Sequence, residues 1–271
     1  MRIQYFGVRG SLPTPGKSTI KYGGNTTCLS LNADGRQIIV DGGSGLRLLG
    51  LELMKLAFGR GQGEASFFWT HFHWDHLMGF PFFVPNFIKG NRFKHYGPAA
   101  AREVLVRQQA FINFPVEFSQ MTSQHEFETL EPGQALALGA LNVTSCRMHH
   151  PAGGLTYKFT HEGKSMVFAT DVEHPAEGLD PELLKLTQGA DLLIYDAQFT
   201  PEEYEKGRKG WGHSTWQKGM ELARAARVKR LHLCHHDQQH ADAFLEKSIL
   251  APAKKIFPRT FLAREGWGFD L

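Results

Sequence analysis

The stretch Ser66-Phe-Phe-Trp-Thr-His-Phe-His-Trp-Asp-His76 runs four apolar or small residues into three histidines and one aspartate within six positions. "SFFWT" reads as a short buried strand. A strand that ends in so many ligand-type side chains points to chemistry, because packing has no use for them there. Imidazole and carboxylate donors together suit zinc, manganese or iron, and without paired cysteines nearby a structural zinc knot is excluded. His71 and His73, two apart in extended chain, point the same way toward one cation. Asp75 and His76, beyond the turn, can reach a second one beside it.

The same pattern returns three more times. "LNVTSCRM" runs into His149-His150-Pro151, "MVFAT" into Asp171, and "RLHLC" into His235-His236-Asp237. Strand ends on one edge of a sheet gather into a pocket on rigid support, so four such endings can converge. A carboxylate such as Asp171 suits a bridge, since each oxygen can serve one cation, and two ions ~3.5–4 Å apart are a device for displacing a phosphate oxygen. Spacing alone does not choose between His149 and His150, or between His235 and His236. His95, His125, His161, His174, His232 and His240 read as surface or satisfied core residues.

The background is that of an ordinary soluble globular chain. The 271 residues are 42% hydrophobic and 21% charged, with a formal charge of +3 that is too small to argue for nucleic acid by itself. The unusual counts are 14 His and 21 Phe. Cys28, Cys146 and Cys234 are few and far apart, which fits a reducing cytoplasm and no disulfide framework. The start enters a strand pattern at once, so no signal peptide is expected, and no apolar run nears the ~20 residues of a membrane span. No linker composition divides the chain, which predicts one domain over 1–271. Hairpins with turns at Asp34-Gly35 and Glu162-Gly163 alternate with helical patterns, predicting sheets flanked by helices. Ser214 is the expected N-cap of the helix that follows it. The Phe-rich segments 80–87 and 111–118 are open between lid, dimer face and core.

These residues resemble the metallo-β-lactamase fold superfamily, whose signature His-x-His-x-Asp-His stands here as His71, His73, Asp75 and His76. The resemblance implies an α/β fold, a four-layer αββα sandwich of two mostly antiparallel or mixed sheets flanked by helices. It implies His150, which precedes the Pro, Asp171 and His235 as the remaining metal ligands, and Asp41 in "IIVDGG" as an outer residue that orients the ligand loop. The opening "FGVRGSLPTPG…YGGNTTC" is similar to bacterial cyclic-nucleotide and cyclic-phosphate phosphodiesterases and, more loosely, to tRNase Z. "ADLLIYDAQFT…WGHST" resembles a segment of those enzymes with a catalytic histidine, here His213. Asp196 stands where tRNase Z carries Glu.

The function implied is a phosphodiesterase in which hydroxide held by two divalent ions attacks phosphorus, zinc before manganese or iron. Asp75 would orient or deprotonate the water, and His213, held by Asp196, would protonate the leaving alkoxide or stabilise the pentacoordinate phosphorus. Only 20 residues separate His150 from Asp171, which leaves no room there for a long RNA-gripping arm. That favours a small phosphodiester, a cyclic nucleotide or ribose cyclic phosphate, over RNA. The alternatives are a tRNase Z-like RNA 3′-processing endonuclease, a lactonase, thioesterase or β-lactamase-type hydrolase, and a non-catalytic scaffold. A homodimer, common among relatives, is compatible with the phenylalanine excess.

Overall fold

The computed structural model describes residues 1–271. Two seven-stranded sheets lie face to face. The first contains β1 (Arg2–Gly7), β2 (Cys28–Ala33), β3 (Arg36–Val40), β4 (Glu64–Phe68), β5 (Arg92–Gly97) and β6 (Gln124–Thr129), side by side in that order. The second contains β7 (Ala135–Leu138), β8 (Leu141–Arg147), β9 (Leu155–His161), β10 (Lys164–Ala169), β11 (Leu192–Asp196), β12 (Leu231–Cys234) and β13 (Thr260–Leu262), again in sequence order. The last strand, β14 (Gly268–Asp270), returns to the first sheet beside β1.

Both sheets are mixed, and in the same way. Each begins with three antiparallel pairings and ends with three parallel ones. Two antiparallel pairs close through the expected turns, Asp34-Gly35 and Glu162-Gly163, where all four residues have positive φ. That conformation matches the right-handed twist of the flanking strands.

The layers follow from which side chains alternate. In β4, Phe67 packs outward with Leu46 and Leu49 of helix α1 (Leu46–Leu53), while Phe68 packs inward among the residues between the sheets. In β11, Leu192 and Ile194 face inward, and Leu193 and Tyr195 pack beneath a helix at Trp216–Ala225. Strands covered on both faces must be apolar throughout, which is why these runs lack a polar alternation. Three cores between four layers result, the αββα sandwich expected from the sequence. No helix is long and apolar enough to cross a membrane.

One local expectation is corrected. The N-cap of the helix at Trp216–Ala225 is Thr215, whose Oγ1 accepts the Lys218 N–H at 3.4 Å, not Ser214. The Ser214 hydroxyl is taken by Tyr195 and His174 instead, at 3.0 and 2.8 Å.

The Phe-rich segments divide. Phe80 and Phe83 are core, whereas Phe82, Phe111 and Ile112 are exposed. Phe82 meets Phe114 edge-on with ring centroids 5.3 Å apart.

Candidate active site

The sequence places a ligand-type residue at or just beyond the carboxyl ends of β3, β4, β8, β10, β11 and β12, and the fold brings those ends to one edge of the sandwich. Seven non-glycine residues have positive φ, and four of them, Ser11, Asp41, Asp171 and His235, are at this edge. A left-handed backbone costs an L-residue roughly 1–2 kcal/mol. Such strain concentrates where side chains are aimed for a task.

Two groups of donors form there. His71, His73 and His150 bring one ligand atom each within 4.8 Å of one another, and Asp75, His76, Asp171 and His235 do the same. Asp171 links the groups. Its Oδ1 lies 3.7 Å from His71 Nε2, and its Oδ2 lies 3.1 and 3.3 Å from His76 Nε2 and His235 Nε2. Asp75 Oδ2 is 3.2 Å from His235 Nε2.

Whether cations fit is decided by polar satisfaction. His71 Nε2 and both carboxylate oxygens of Asp171 are buried without a hydrogen-bond partner, a costly state unless something cationic takes them up. The far side of each ring is meanwhile fixed. His76 Nδ1 donates to Asp41 Oδ2 at 2.8 Å, His150 Nδ1 to Gly212 O at 2.9 Å, and His235 Nδ1 to Gln198 Oε1 at 2.9 Å. His71 Nδ1 lies 3.1 Å from Thr70 Oγ1, which donates its own proton to Asp41. Four imidazoles thus carry the proton on Nδ1 and turn the Nε2 lone pair inward, the arrangement that prepares histidines for a metal. The residues fit divalent cations.

Beside the shared carboxylate sits His213, whose Nδ1 donates to Asp196 Oδ2 at 3.0 Å. Burial opposes its charge, but Asp196, together with Asp171 and Asp75, outweighs burial and raises the imidazole to about 9. Asp196 is itself immobilised by the N–H groups of Asp171, Gln198 and Ser214. Ser11, Phe72, His73, Trp74, Asp75, Asp171 and His213 line an open cleft of about 360 Å³ over the donors.

With this geometry in hand, the known proteins it resembles are informative. The model of the beta-lactamase superfamily domain matches residues 36–236, a span that takes in Asp41 and every candidate ligand up to His235. The chain belongs to the metallo-β-lactamase superfamily. Ribonuclease Z of Methanosarcina acetivorans is 26% identical over 312 residues, covering 98% of this chain and 96% of its own length. Two solved structures share the fold: the metallo-beta-lactamase fold protein YhfI from Bacillus subtilis, with TM-score 0.75, 18% identity and coverage of 99% and 98%, and the short form of human tRNase Z, with TM-score 0.71, 19% identity and coverage of 100% and 99%. The chain is accordingly a hydrolase of this superfamily.

Against the superfamily signature, all the expected residues meet at one place: His71, His73, Asp75, His76, His150, Asp171 and His235 in the two donor groups, with Asp41, Asp196 and His213 in contact with them. His149 and His236 stay outside the donor groups, and His236 is turned to the Ala263 carbonyl at 3.0 Å. Sequence reading missed three supports. Ser11 donates its N–H to Asp75 Oδ2 at 2.7 Å, and Gln198 holds His235. Glu173 accepts from Gly210 N, Gly212 N and Tyr204 Oη at 2.6, 2.8 and 2.7 Å, and so pins the loop whose Gly212 carbonyl holds His150. Two glycines are obligatory for close approach. A Cβ at Gly10 would lie 2.4 Å from the His235 ring, and one at Gly212 2.0 Å from His150 Nδ1. The remaining expected bystanders are engaged elsewhere: His161 with Asp34, His232 with Tyr5, His240 with Glu203.

Proposed function

We propose that the whole chain, as one domain, is a phosphodiesterase that uses two divalent cations, zinc before manganese or iron, in a cytoplasmic setting that its three unpaired cysteines suit. His71, His73 and His150 would hold one cation, Asp75, His76 and His235 the other, with Asp171 between them. When bound, the ions supply Lewis acidity at phosphorus and lower the pKa of water. The observation that carries the reading is the His213–Asp196 pair beside Asp171. Displacement at phosphorus expels an alkoxide that must be protonated, and the pair stands where it can supply that proton; a thiolate leaves without one.

The chain's own residues then divide the work. Asp75, aimed by the Ser11 N–H, orients the attacking water from the cleft floor. His213, held at Nδ1 by Asp196, would deliver a proton from Nε2 to the leaving oxygen. Asp196 keeps the ring oriented and offsets its charge.

For the substrate we favour a small phosphodiester, a cyclic nucleotide or ribose cyclic phosphate, because the segment from His150 to Asp171 is a compact hairpin of β9 and β10. A second reading, RNA 3′ processing, draws on the relatives named ribonuclease Z. The test is a panel of cyclic mononucleotides, cyclic dinucleotides and a tRNA precursor, run with Mn²⁺ and with Zn²⁺, alongside a thioester and a lactone. Turnover of a phosphodiester with none of the thioester or lactone is the expected result. The reverse pattern would sink the phosphodiesterase reading.

A further inference from the structure

Among the tryptophans, Trp69 and Trp216 are buried, while Trp74 is 80% exposed and Trp211 54% exposed. Trp74 lines the cleft, and Trp211 precedes Gly212 in the loop behind His150. Trp74 stands between His73 and Asp75 in the signature. Those two neighbours turn toward the donor groups, and Trp74 is left at the rim, where it lines the opening with His73, Asp171 and His213. Trp211 stands next to Gly212, whose carbonyl holds His150.

Trp211 is also held in place. Glu173 grips the N–H groups of Gly210 and Gly212, on either side of it, at 2.6 and 2.8 Å. The Arg208 guanidinium carbon lies 4.4 Å from the Trp211 ring centre and 5.8 Å from that of Phe199. Phe199 in turn meets His213 edge-on at 5.9 Å. An aromatic and cationic ledge therefore runs from the proton-delivering histidine to the surface. Of the two lysines in the segment Lys206-Gly-Arg-Lys-Gly-Trp211, Lys209 is paired with Glu205 at 2.7 Å, so Arg208 supplies the ledge's cation. Large rigid apolar faces held open to water are costly, and cationic aromatic ledges suit flat π-systems joined to phosphate.

We infer that Trp74 and the Arg208–Trp211 ledge are stacking surfaces for a nucleobase of the substrate, beside the scissile phosphate. The substrate is then a nucleotidyl phosphodiester, not an alkyl or sugar one. This rests on the phosphodiesterase reading and narrows its substrate class. Base–aromatic stacking is expected to contribute about five- to 150-fold per base.

The test uses the metal-loaded full chain and two p-nitrophenyl esters with the same leaving group, thymidine 5′-(p-nitrophenyl phosphate) and methyl p-nitrophenyl phosphate. The wild type should favour the thymidine ester at least about tenfold in kcat/KM. Trp211→Ala and Arg208→Ala should raise KM for the thymidine ester about tenfold more than for the methyl ester, with kcat and metal content held. Trp211→Phe should restore most of the loss. In parallel, tryptophan fluorescence should be quenched by thymidine 5′-monophosphate and not by ribose 5-phosphate, and the quench should shrink in Trp74→Ala and Trp211→Ala. Equal handling of both esters, or equal losses on both, overturns the stacking surfaces and leaves the phosphodiesterase reading standing. Base-specific quenching without hydrolysis of either ester does the opposite.

Discussion

Two histidine groups belong to neighbouring strands of the first sheet, and they are finished in different ways. At the carboxyl end of β4, His71, His73 and His76 turn nitrogens toward a carboxylate whose two oxygens have no hydrogen-bond partner. Within β5 and β6, His95 and His125 form a closed relay. Trp69 Nε1 donates to His95 Nδ1 at 3.1 Å, His95 Nε2 to His125 Nδ1 at 2.9 Å, and His125 Nε2 to Ser123 Oγ at 2.9 Å. Ser123 passes its proton to the Asn86 carbonyl at 2.7 Å. Every donor there has an acceptor, and the rings stack among Phe67, Phe80 and Phe127 as neutral aromatic bodies. Residue type does not separate the two groups, and burial alone does not either, since His71 and His76 are buried as His95 is. Satisfaction does: one cluster is complete by itself, and the other is complete only with cations.

That contrast can be broken most directly at the bridge. Asp171→Asn removes the charge both groups share, and should abolish turnover and cost at least about one ion per chain by plasma mass spectrometry. Full activity with full metal content would mean that the unpartnered oxygens await nothing. Next in size is His213→Ala, which should lower kcat by ~10²- to 10⁴-fold while metal content is kept. A parallel loss of metal would move His213 from proton delivery to metal binding. Smaller again is Gln198→Ala, which frees His235 Nδ1 and should weaken metal affinity or activity ~10- to 100-fold, with Gln198→Glu retaining the acceptor and most of the function. An unchanged metal affinity in Gln198→Ala would show that His235 needs no outer support.

How far the sequence carried depended on whether the donors were local. His71, His73, Asp75 and His76 share one strand end, so spacing alone exposed them. His150, Asp171 and His235 come singly from separate strands, and only the repeated strand-then-ligand pattern suggested that they converge. The choice of His150 over His149 came from family resemblance, and its physical basis, the Gly212 carbonyl behind the ring, lies 62 residues away. Glu173, Gln198 and Ser11 carry no signal at all in one sequence. Each acts through a backbone group or an outer ring nitrogen, and such partners are fixed by tertiary placement. Local chemistry misled once, at Ser214, because a good N-cap residue was claimed by side chains from other elements.

The smallest expected effect on activity is at the closed relay, and it is visible instead in stability. Burial holds His125 down to about 4, and burial together with His125 holds His95 well below its ordinary value. In the unfolded chain both would titrate near ~6.5. Between these limits the unfolded state takes up the proton first, so the stabilisation is present in full above about pH 6.5 and is lost as the pH falls toward 4. One such group contributes at most about 1.4 kcal/mol per pH unit. His125→Gln keeps an oxygen that can accept from His95 Nε2 and an N–H₂ group that can reach Ser123, but it does not titrate. Urea unfolding of the metal-loaded protein at pH 7 and pH 5 should show a clearly shallower loss of stability in His125→Gln than in the wild type, with phosphodiesterase activity at pH 7 within about twofold. The same steep loss in both proteins would mean that the relay accepts a proton without breaking. The distinction between a satisfied and an unsatisfied histidine cluster would then need another basis than charge.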